Sequence, residues 1–219
     1  MLKEIQRLRV KFSRGEEIKY ITHLDLLRCW ERVLRRAQVP LAYSQGFAPH
    51  PKISLASPLS LGITSEAELM DVFLTRRMSP SYFIKETSQE LPRGIEVMEI
   101  KEIYLGAPSL QAKLRATEYR VDIETNRVPD DTRSAIASLL QADHFPWCHM
   151  RDTGPRHYDL RALIEDIWAI SCGEALCTLG MRLKSSSQGS GRPEQVTAAL
   201  GFSEYPISLH RTKLFLAQR

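Results

Sequence analysis

Leu8, Val10 and Phe12 alternate with Arg9 and Lys11, the two-residue period of a strand with one buried face. The period then changes. Leu26, Trp30, Val33 and Ala37 recur at three- and four-residue steps, so residues 22–37 read as a helix with one apolar stripe, widened by Leu27 and Leu34. Thr22 supplies a capping hydroxyl and Asp25 the reciprocal acid of a capping box, while Pro40 closes the element. Short strands are expected at 52–55 and 69–74. Ser79-Pro80 opens a second helix with Phe83, Ile84, Thr87 and Leu91 on its apolar side, and a strand follows over 95–103. This order is β-α-β-β-α-β, the ferredoxin-like unit.

After a linker over 106–116 the order repeats. Residues 119–123 alternate, 129–142 form a helix opened by Pro-Asp-Asp, and 145–150 form a strand. Extended segments lie within 158–170, with 163–167 also compatible with a helical turn. A strand over 175–183, a short helix over 193–200 stopped by Gly201 and a strand over 213–217 complete the half. The expected fold class is α+β, two tandem ferredoxin-like (βαββαβ) halves, with domains at 1–105 and 117–219.

The net charge of +4 is unevenly placed. Residues 1–60 hold 11 Lys/Arg against 5 Asp/Glu, residues 61–105 hold 5 against 8, and residues 182–219 hold 6 against 2. Two basic ends around an acidic middle point to a localised anion site. No apolar run is long enough to span a membrane, and the first residues lack the apolar core of a signal peptide, so the expected location is cytoplasmic. The four cysteines match no zinc or iron–sulfur spacing, and disulfides are not expected in that compartment. His144, Cys148, His149 and His157 cluster in sequence. On a strand, however, Cys148 and His149 face opposite ways and share no ion, so neither metal nor cofactor is expected.

The basic face of the first helix is the leading candidate for function. Arg28, Arg32 and Arg35 follow i, i+4, i+7, with Arg36 beside Arg32 and Glu31 as the near acid. Guanidinium forks bind phosphate oxygens bidentately and stay charged; the plainer alternative is a solvated helix face. In the loop over 43–52, Gly46 permits an unusual turn and Pro49 and Pro51 stiffen the chain around His50. Tyr43, His50 and Lys52 suit base stacking and phosphate contact, whereas Phe47 is expected to plug the core. Lys184 and Arg192 flank a Gly/Ser loop, 185–191, running into a helix start, a candidate anion cradle without the ending of a nucleotide P-loop. His23 and His50 are weak candidates for a general acid–base pair.

Several of these segments resemble one family. Thr22-His23-Leu24-Asp25-Leu26-Leu27-Arg28, Pro40-Leu41-Ala42-Tyr43-Ser44, Gly46-Phe47 and Pro49-His50-Pro51-Lys52-Ile53-Ser54 look like the signature of the bacterial radical-SAM-linked (radical-SAM-associated) proteins, a domain of unknown function. Tyr158-Asp159-Leu160-Arg161 and Gly191-Arg192-Pro193-Glu194 match its later segments. Thr22 stands where related proteins carry Ser and keeps the hydroxyl. The resemblance implies a domain found alone or joined to cobalamin-binding radical-SAM proteins. This chain has no Cys-x3-Cys-x2-Cys, so radical chemistry would belong to a partner. Together these readings give the expectation of a non-catalytic RNA-binding module that presents tRNA or rRNA to a radical-SAM enzyme. The alternatives are a metal-independent endoribonuclease, by fold-level analogy to tandem ferredoxin-like CRISPR RNA-processing proteins, and a protein–protein adaptor for the radical-SAM partner.

Overall fold

The computed structural model describes residues 3–151, 154–173, 175–186 and 189–217. They form an α+β protein with two compact units, one of residues up to 114 plus 216–217, the other of residues 115–215.

The first unit contains β1 (Gln6–Arg14), α1 (His23–Arg36), β2 (Ile53–Leu55), β3 (Thr64–Leu74), α2 (Pro80–Ser88), β4 (Val97–Ile103) and the single turn α3 (Leu110–Lys113). β1 lies between β3 and β4, β2 pairs with β3, and all three pairings are antiparallel. Leu8, Val10 and Phe12, on one face of β1, are buried with Met70, Val72 and Leu74 of β3. Leu26, Trp30, Val33 and Leu34 of α1 and Phe83 of α2 complete that core. Phe12 and Trp30 meet edge to face at 5.0 Å. Each of these fully buried side chains contributes about 1.5–3 kcal/mol relative to exposure. Because this face of α1 is fixed by the core, Arg28, Arg32, Arg35 and Arg36 are left exposed.

The opposite side of β1 holds a buried charge cluster. The Asp71 carboxylate, with no exposed surface, accepts bonds from Arg7 and Arg9. Arg7 also donates to the carbonyls of Ala107 and Pro108. It thereby ties the segment after β4 to the sheet.

The second unit contains β5 (Leu114–Glu124), α4 (Pro129–Gln141), β6 (Pro146–Arg151), β7 (Gly154–Asp159), β8 (Ile164–Cys172), β9 (Leu176–Ser186), β10 (Gly189–Ser190), α5 (Pro193–Ala199) and β11 (Ser208–Leu216). β9 pairs antiparallel with β5, β8 and β10, and β11 neighbours β5. Trp168 of β8 stands opposite Gly180 of β9, and its indole covers the glycine so closely that an added Cβ would fall 2.1 Å away. The absence of a side chain there lets the ring lie on the strand.

Four expectations are corrected. The strand at 146–151 does not join the sheet; it pairs with β7 in a separate two-stranded hairpin. β8 takes the place expected for that strand, paired with β9. The 106–116 linker is partly structured, because Leu110 and Leu114 are buried and carry α3 and the start of β5. Residues 161–163 make a helical turn before β8, and β11 begins five residues earlier than the strand expected from 213. Finally, Cys172 and Cys177, a cross-strand pair, form a disulfide. Their spacing of five residues did not reveal the hairpin that brings them together.

Candidate functional site

α1 starts as its sequence demands. The Thr22 hydroxyl accepts from the Asp25 amide at 3.2 Å and donates to the Asp25 carboxylate at 2.7 Å. That hydroxyl, with Arg28 nearby, holds the Asp25 carboxyl below its ordinary range. Arg28, Arg32 and Arg36 then line one cleft of about 280 Å³ with Asp25, Cys29 and Pro92. The three cations differ in their ties. Arg28 reaches Asp25 only at 3.4 Å. Arg36 is held by the Glu90 carboxylate at 2.6 Å and donates to the Glu90 carbonyl at 2.9 Å. Arg32, and Arg35 outside the cleft, have no carboxylate within ion-pair distance among the described residues. Glu31, expected to offset the row, is half-buried and pairs with none of them. Burial pushes the Cys29 thiol upward against the pull of Arg36 and Arg32, so it stays protonated at neutral pH and is a poor nucleophile.

The loop over 43–52 closes on itself. The Ser44 amide donates to the His50 carbonyl at 2.8 Å, and the His50 amide donates to the Ser44 hydroxyl at 3.0 Å. Tyr43 bridges Pro51, and the Lys52 and Phe73 main chains anchor the base of the loop. At the tip Gly46 takes φ +128°, and Phe47 is fully exposed. The expectation that Phe47 plugs the core is therefore wrong. The closed loop turns the ring into solvent, where it joins the half-exposed Tyr43 as an available aromatic face. Lys52 is tied to Glu4, and the two line a second cleft with Lys3, Tyr43, Gln45, Leu105 and Gly106. The two clefts share no lining residue. His50 lines neither, and it has no hydrogen bond to His23 among the described residues.

In the second unit, Lys184 is exposed on β9 and Arg192 is exposed just before α5. Ser187 and Gln188 of the expected cradle lie outside the described residues. The cradle itself is not made by helix amides. α5 has seven residues, Pro193 has no N–H, and the Gln195 and Val196 amides both donate to the Arg192 carbonyl. Arg192 instead lines a small cavity of about 100 Å³ with His149, Arg156, Tyr158, Asp159, Leu163, Gly189 and Ser190; Lys184 does not. Asp159 sits below its ordinary range because the Phe145 amide and His144 bond to it. Burial raises the Tyr158 phenol, which donates to Gln195. His149 approaches Arg192, while Cys148 faces His157 at 3.9 Å, so these neighbouring side chains serve different surroundings.

Comparison places the architecture among known folds. A chain of a Cbf5–Nop10–Gar1 complex is similar with a TM-score of 0.52 and 12% identity, over 96% of this chain and 50% of that one. A chain of an archaeal box H/ACA sRNP Nop10–Cbf5 complex matches at 0.50 and 10% identity, over 96% and 49%. A chain of an H/ACA RNP bound to a substrate RNA containing 2'-deoxyuridine matches at 0.50 and 12%, over the same shares. This chain thus spans about half the length of the solved chains it matches, and at these identities the likeness is one of fold. No curated protein matches it in sequence. Among the described residues, no helix is long and apolar enough to cross a membrane. Residues 7–193 match, and the chain belongs to, the bacterial family described as "Uncharacterized protein conserved in bacteria (DUF2344)".

Proposed function

We propose that this chain is a non-catalytic RNA-binding module, built from two ferredoxin-like halves, that presents tRNA or ribosomal RNA to a radical-SAM modifying enzyme. The observation that carries the reading is the α1 cleft, where Arg28, Arg32 and Arg36 line one surface and Arg32 has no carboxylate within ion-pair distance among the described residues. Such guanidinium groups attract and orient phosphate oxygens. The exposed Phe47 and Tyr43 offer stacking faces for unpaired bases, and stacking tolerates any base. The strand orders β4-β1-β3-β2 and β8-β9-β5-β11 support the two ferredoxin-like halves, with the β6–β7 hairpin as an addition to the second. The radical-SAM link rests on the sequence resemblance alone. No step of bond making is assigned to the chain.

A gel-shift series with structured and single-stranded RNA tests the reading. Arg32→Glu together with Arg35→Glu is expected to weaken binding by at least about tenfold, while Lys85→Glu, on α2 outside the clefts described, leaves it unchanged. Undiminished binding by the double variant would contradict the proposal. If the wild-type protein ignores RNA, and a nuclease-treated radical-SAM partner is still retained through Phe47, the chain is an adaptor instead.

A further inference from the structure

The arginine row of α1 does not end at the cleft beside Pro92. Arg36, the last residue of α1, also lines a second and larger cleft of about 610 Å³. Its other walls include Arg76 and Arg77, in the connection from β3 to α2, and Tyr82 in the first turn of α2. The two clefts therefore share Arg36 as a lining residue. Arg76 is exposed and has no carboxylate within ion-pair distance among the described residues. Arg77 is largely exposed and makes one pair, with Glu102 at 3.2 Å. Half of Tyr82 is exposed. Glu86 is the one carboxylate lining the cleft, against three arginines.

We infer that a single-stranded RNA segment crosses the α1 cleft and continues past Arg36 into this second cleft. Arg76 and Arg77 hold its next phosphates, and Tyr82 stacks on an unpaired base. The inference rests on the RNA-binding reading and extends it from a patch to a path with a direction. Geometry supports a strand: Arg28, Arg32 and Arg36 rise about 6 Å per step along α1, a spacing comparable to that of neighbouring phosphates in an extended chain. Chemistry separates RNA from an acidic peptide. Both would engage the guanidinium groups, but every nucleotide carries a planar ring for Tyr82 whatever its sequence, whereas an acidic peptide has one only where it holds an aromatic residue.

The test uses the full chain and fluorescence anisotropy with oligouridylates from two to twelve nucleotides, with polyglutamate as the competing polyanion. Wild-type affinity should rise with length until both clefts are filled. Arg76→Glu with Arg77→Glu should weaken the twelve-nucleotide strand by about thirtyfold or more, and affinity should stop rising at a shorter length. The log–log salt slope should fall by about 1.4, two single-strand phosphate contacts. Tyr82→Ser should weaken the longest strand by about tenfold. Circular dichroism checks that these surface variants stay folded.

If Arg76→Glu with Arg77→Glu leaves length dependence and slope unchanged while Arg28→Glu with Arg32→Glu still weakens binding, the path is overturned and the RNA-binding reading stands. If the wild type binds none of the strands, that reading falls and the path with it. Polyglutamate bound as tightly as RNA, with the same sensitivity to Arg76 and Arg77, would assign the cleft to an acidic protein and overturn the path as well.

Discussion

Replacing Asp71 by alanine removes the one carboxylate between two guanidinium groups. Arg7 donates to it through Nε at 3.1 Å and Nη2 at 2.6 Å, and Arg9 through Nε at 2.8 Å and Nη2 at 2.9 Å. Asp71 is wholly buried, Arg7 is 3% exposed and Arg9 13%. The variant therefore leaves buried positive charge without its partner, which costs about 3–5 kcal/mol. A domain's whole stability is about 5–15 kcal/mol, so the first unit should lose at least about a fifth of it. At about 2–8 °C per kcal/mol for domains of this size range, its thermal midpoint should drop by more than about 6 °C. Urea titration and thermal circular dichroism measure both quantities. The variant Arg7→Met, Arg9→Met, Asp71→Leu supplies a control, since apolar replacement of a whole buried ion cluster is often neutral or stabilising. A loss below about 1 kcal/mol for Asp71→Ala, or a triple variant less stable than the single one, would show that Asp71 does not offset the two buried guanidinium groups.

Three further outcomes are expected. The Asp25 carboxyl, held low by Thr22, should titrate in NMR below its usual 3.8. Because its folded value is depressed, its stabilisation is present above the unfolded value and is lost as pH falls through the folded one, and Thr22→Val should shrink the shift, leaving the part that Arg28 supplies. Gly180→Ala would drive a methyl into the Trp168 indole, destabilising the second unit by about 1–3 kcal/mol in urea; an unchanged midpoint would show that the ring does not cover the strand. Phe47→Ser should leave the urea midpoint within about 0.5 kcal/mol, yet weaken RNA binding by about fivefold or more if the ring stacks on a base.

Local chemistry made much of the first unit legible. Thr22 and Asp25 marked the start of α1 and the Leu26–Trp30–Val33 stripe its inward face, so the outward arginines followed without knowledge of the partners. Ser79 and Pro80 marked α2 in the same way, with the Ser79 hydroxyl accepting from the Tyr82 amide. The misses are non-local. Glu90 reaches Arg36 across 54 residues and Glu4 reaches Lys52 across 48, so no helix-face pattern showed which cations would be tied up. The β6 segment read as a strand, and a strand's own residues do not reveal which neighbour it will pair with. Phe47 carries the ordinary sequence mark of a core residue; only the closure of its loop between Ser44 and His50 shows that the ring points outward. Arg76-Arg77 stood in plain view before α2, but that they line one cleft with Arg36 depends on the tertiary fold.

If the α1 arginines form a phosphate-binding cleft, the salt dependence of RNA affinity should differ between wild type and Arg28→Glu with Arg32→Glu. Wild-type affinity should fall steeply with salt, and the variant's log–log slope should be shallower by about 1.4, about 0.7 for each lost contact. Equal slopes for the two proteins, or RNA affinity indifferent to salt, would contradict that role for the cleft.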